Sequence, residues 1–86
     1  MTNTTYRLPQ DGYAIHHQIT CEGDREDMEA MVNIGAPLED LVAYVAREAV
    51  PATKPSWTTH TYTIVTVEAG KIVERGEGVT VKGTKA

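Results

Sequence analysis

His16, His17, His60 and Cys21 are the residues whose side chains can ligate a soft metal or supply a nucleophile. Structural zinc takes about four nitrogen or sulfur ligands, usually in close pairs. Successive residues of a strand point to opposite faces, so His16 and His17 diverge. His17 and Cys21 would share a face, yet four residues of strand separate them by on the order of 13 Å. No metal and no cofactor is expected. Cys21 stands just before Glu22, Asp24, Glu26 and Asp27, whose charge opposes a thiolate, so an inert thiol at a strand end is the expectation.

Carboxylates are dense between Glu22 and Asp40: seven acids against one base, Arg25, a net of −6 within a chain of −4. Acid–base catalysis needs such groups in a polar cleft with shifted pKa values, and no second feature of an active site accompanies them. Residues 71–86 run the other way, at +2. An acidic chain without a basic stripe is a poor binder of phosphate backbones, so nucleic acid is not an expected partner. A basic protein surface complements it better. Gly76-x-Gly78 is too short for a phosphate cradle and reads as backbone chemistry. Trp57, Tyr44 and Arg47 are of the types that anchor protein interfaces.

These residues must be positioned by few elements. The strongest is a helix over Pro37–Val50, where Leu38, Leu41, Val42, Val45 and Ala49 form one stripe and Pro37 and Pro51 bracket the ends. Tyr44, Arg47, Glu39 and Asp40 fall on its other side. Burying two Leu and two Val would contribute roughly 6–12 kcal/mol before entropy is subtracted. A second, shorter helix is expected over Glu22–Asn33, with Asp24 as cap, Met28, Met31 and Val32 as its apolar side, and Gly35 closing it. Tyr13–Cys21 and Thr58–Glu68 alternate as strands. Ala69-Gly70 turns the chain into a third strand, Lys71–Arg75, which Gly76 and Gly78 interrupt and Val79–Lys82 continues. Thr5–Leu8 is an optional further strand before the turn-forming Pro9–Gly12.

The expected fold is α+β in the order (β)β-α-α-ββ: a small antiparallel sheet of three to four strands with one long and one short helix on one face. One domain spans residues 1–86, with 1–4 and 83–86 as frayed tails. Hydrophobic content of 41% and charged content of 23% are those of an ordinary soluble protein, and no apolar run is long enough to span a membrane. A lone cysteine and the lack of an apolar leader lead to the expectation of a cytoplasmic protein. A core this small gains from a second copy or a partner, which leaves homodimerisation open.

Two functions fit these residues. The first is a non-enzymatic interaction or inhibitor module, of the kind found among bacterial and phage accessory proteins. It would bind another protein through an acidic helical face (Glu26, Asp27, Glu39, Asp40) with Tyr44, Arg47 and Trp57. The alternative is a dimeric ligand-binding or enzymatic domain with a pocket between helix and sheet lined by Tyr13, His17, His60 and Tyr62.

Overall fold

The computed structural model describes residues 12–86; the strand expected over Thr5–Leu8 lies outside them. Strand β1, Gly12–Cys21, follows its alternating pattern. The chain then turns back as β2, Met28–Val32, where a helix over Glu22–Asn33 is expected. That expectation is wrong for a physical reason. Met, Glu and Ala favour helix, but a helix here would bury only three apolar side chains. As a strand the segment pairs antiparallel with β1, setting Met28, Ala30 and Val32 opposite Ile19, His17 and Ile15. Asp27, at the start of the return, accepts from the Cys21 amide at 2.9 Å and closes the loop rather than serving a helix.

Asn33 and Gly35, both left-handed with φ of 54° and 87°, turn the chain over, and the Gly35 amide bonds the Tyr13 carbonyl. Pro37, extended at φ −61° and ψ 149°, is the N-cap of α1, Leu38–Glu48. A single 3-10 turn, Pro51–Thr53, leads to β3, Thr58–Glu68. Ala69 and Gly70 adopt the paired left-handed conformation of a tight hairpin, followed by β4, Lys71–Arg75, and β5, Val79–Lys82.

The result is one five-stranded antiparallel sheet ordered β2-β1-β3-β4, with β5 also on β3. β4 lies along Val65–Glu68, with a register shift at Thr66/Val67, and β5 along Thr59–Tyr62. Among the described residues, the expected three to four strands under two helices give way to five strands and one α-helix. Ile15, Leu41 and Tyr62 form the core under α1; Ala14, Val65 and Val67 form a second, smaller cluster on the opposite face.

α1 is rolled relative to its predicted stripe. Leu41 is fully buried, whereas Leu38 and Val42 are 43% and 54% exposed. Tyr44, expected to point outward, packs with Val45 against the core. A stripe more than 100° wide is broader than one sheet contact can cover; at the far end of α1 the Glu48 carbonyl lies 3.5 Å from the Tyr62 hydroxyl. Residues 83–86, expected to fray, instead make backbone bonds: Gly83 to Thr58, Thr84 to Pro51 and Lys85 to Lys54, with the Ser56 amide bonding Lys85 in return.

Candidate functional site

The strand register brings together three of the four residues expected to line a pocket. His17 is paired with Tyr62, and Ile19 with His60, so both histidines and the tyrosine project from the helix-bearing face. His17 stacks on Tyr62 with ring centroids 4.3 Å apart. His17 Nε2 lies 2.9 Å from His60 Nδ1, and His60 Nε2 lies 3.0 Å from Thr58 Oγ1. Thr58 donates to the Pro55 carbonyl, so its oxygen accepts from His60 Nε2–H. His60 Nδ1 is then an acceptor, and His17 Nε2–H is its donor. One directed chain thus runs from His17 to Pro55 with both imidazoles neutral.

Electrostatics favour the same state. Burial lowers the pKa of His17 below its ordinary 6.5, helped by His60 and Lys54 and opposed by Glu48. Burial, then Lys54, does the same for His60. For Lys54 burial works against the charge, but the Tyr62 hydroxyl and Glu48 outweigh it and raise its pKa. Lys54 stands 5.7 Å from the Tyr62 ring centroid and 3.7 Å from the Glu48 carboxylate. In this arrangement three of the four ring nitrogens bond one another and Thr58, so they act as internal fasteners. Tyr13 sits at the other end of β1, opposite Thr66, and does not join them.

Nor do the acids expected on one helical face share a surface. Glu26 and Asp27 lie in the loop after Cys21, whereas Glu39 and Asp40 open α1 beside Tyr13. The eight residue steps of β1 put roughly 27 Å between those ends. The interface aromatics are apart too. Trp57, 37% exposed, lies under the Arg25 guanidinium, 4.2 Å from its ring centroid. Tyr44 carries Arg47 at 5.2 Å. Cys21 is a partly exposed free thiol at the end of β1. Among the described residues, no group of three or more His, Cys, Asp or Glu could hold a metal ion, and no helix is long and apolar enough to cross a membrane.

What the roll of α1 does create is an apolar groove along its side. One wall is Val42, Ala46 and Ala49 of the helix, the other Val79 of β5, and the floor is Tyr62 and Ile64; the space is about 480 Å³. A second hollow adjoins it through Ile64 and Glu77, lined also by Tyr13, Leu38, Thr66, Glu74 and Arg75 at the upper end. Of the residues that line this space, Tyr62 and Tyr13 belong to the alternative pocket set read from sequence. The spacing Leu38, Val42, Ala46 is a legible signal, but it reads equally as core, and Val79 lies in a strand whose partner only the register supplies. No protein-family model, curated protein or solved structure matches this chain.

Proposed function

We propose that this chain is a small non-catalytic interaction module that docks a partner protein in the groove beside α1. The observation that carries this reading is the exposure of Leu38, Val42 and Val79 along two adjoining hollows that share Ile64 and Glu77. Single exposed apolar residues are ordinary, but contiguous ones bounded by polar groups mark binding surfaces. Two residues of α1 that turn the groove side small, Ala46 and Ala49, let a partner approach the helix closely. The acids at the groove's mouth retain the preference for a basic partner that the composition suggests.

The histidine cluster supports this module rather than a pocket of its own, because its hydrogen bonds are spent on one another and on the loop that leads into β3. Tyr62 connects the two: its ring stacks on His17 and also floors the groove.

The test compares tagged wild-type protein with Val42→Asp and with Glu26→Gln/Asp27→Asn in capture from the source cell's lysate. Val42 is more than half exposed, so the substitution leaves the fold intact, as circular dichroism would verify. A partner captured by the wild type should be lost with Val42→Asp and kept by the loop variant. Capture that survives Val42→Asp but fails in the loop variant would move the site away from the groove.

A further inference from the structure

We infer that the groove takes an amphipathic helix of about three turns whose apolar stripe is flanked by Lys and Arg; this rests on the groove being the docking site. The length follows from the wall. Leu38 to Glu48 is ten residue steps of helix, roughly 15 Å, and a helix packs alongside another on a sheet about 10 Å away. α1 packs chiefly over β1 and β3, through Ile15 and Tyr62, with Val32 of β2 and Val81 of β5 beside that core, which leaves the side of the sheet toward Val79 open for a second helix of the same layer. Its contact side must be small or apolar, because Ala46, Ala49 and Val79 line that trough.

The charge follows from the rim. Glu74, Glu77 and Arg75 line the upper mouth of the groove. Neither acid is in an ion pair among the described residues, whereas Glu22, Glu29 and Glu48 are held by Lys82, His16 and Lys54. Arg75 is nearest in sequence to the rim acids, but its guanidinium reaches His16 Nδ1 at 3.1 Å on the opposite face of the sheet. Among the described residues the mouth therefore presents two carboxylates without an ion-pair partner beside an apolar trough. A helix with cationic flanks satisfies both, and one with acidic flanks meets repulsion. Two copies of this chain, each at −4, repel one another overall and fit less well.

Two synthetic helical peptides of roughly 14 residues provide the test, with one Leu/Ala stripe in common and flanks of either Lys or Glu. Each is titrated into methyl-labelled protein and followed by NMR. The Lys peptide should shift the methyls of Leu38, Val42 and Val79 and bind at least about tenfold more tightly than the Glu peptide. Glu74→Gln/Glu77→Gln should weaken the Lys peptide about threefold to tenfold. Asp24→Asn/Glu26→Gln removes the same charge in the β1–β2 loop and should weaken it less than about twofold. Equal affinity of the two peptides, or equal loss in the two double variants, overturns the cationic helix and keeps the groove. Groove methyls that move with protein concentration alone, in a sedimenting dimer, give the site to a second copy and overturn the inference. If neither peptide moves the groove methyls of a monomer, the groove reading fails as well.

Discussion

Gly83 offers the sharpest test of how the fold is held. Its φ is not left-handed, so backbone conformation does not demand glycine. Space does. A Cβ built there falls on the Pro55 carbonyl oxygen and 2.6 Å from that of Lys54, both backbone atoms that cannot swing aside. Gly83→Ala must therefore push the C-terminal strap away from residues 51–56. Four backbone bonds hold that strap: Gly83 to Thr58 at 2.9 Å, Thr84 to Pro51 at 3.0 Å, Lys85 to Lys54 at 2.9 Å, and Ser56 to Lys85 at 2.8 Å. At a net of about 0.5–1.5 kcal/mol each, and with the freed groups partly rehydrated, the loss is about 2–3 kcal/mol. For a domain of this size that lowers Tm by about 10–20 °C. Thermal denaturation by circular dichroism reads the shift, and hydrogen exchange should show the Ser56 and Lys85 amides unprotected. A variant melting within about 2 °C of the wild type would refute the steric argument.

Two further outcomes follow from the core and from the histidine chain. Leu41→Ala, at a fully buried site, should cost about 2–5 kcal/mol by urea denaturation, whereas Val42→Ala one residue on should cost under about 0.5 kcal/mol; equal costs would mean that α1 is not rolled as described. Because the folded-state pKa values of His17 and His60 are lowered, the unfolded chain binds more protons. Stability is thus full above the unfolded value near 6.5 and falls as pH drops below it. Midpoints that stay level between pH 7.5 and 5.5 would contradict neutral, internally bonded imidazoles.

The central strands are legible because their determinants are local. The alternation in Tyr13–Cys21 and Thr58–Glu68 has period two, and Ala69-Gly70 is a turn by backbone chemistry alone; the observed strands Gly12–Cys21 and Thr58–Glu68 follow it closely. The helix ends are legible for the same reason, since proline excludes itself from a helix interior on either side. The segment Met28–Val32 is not legible. Its residues favour helix intrinsically, and only β1, with Ile15, His17 and Ile19 offering an open ladder, makes a strand the better state. The acid-rich surface misleads in the same way: charge density along the chain says nothing of distance in space until β1 sets the two acidic ends apart.

His17 and His60 are 43 residues apart in sequence and 2.9 Å apart in the fold, a proximity that follows from a ten-residue register between β1 and β3. Residue type marks them as candidates, but only the register decides that they bond each other. The groove is more deeply tertiary. Leu38, Val42 and Ala49 belong to the same apolar stripe as Leu41 and Val45, and nothing in their types tells wall from core. The roll of α1 on the sheet turns one part of that stripe inward and leaves the other facing an open trough.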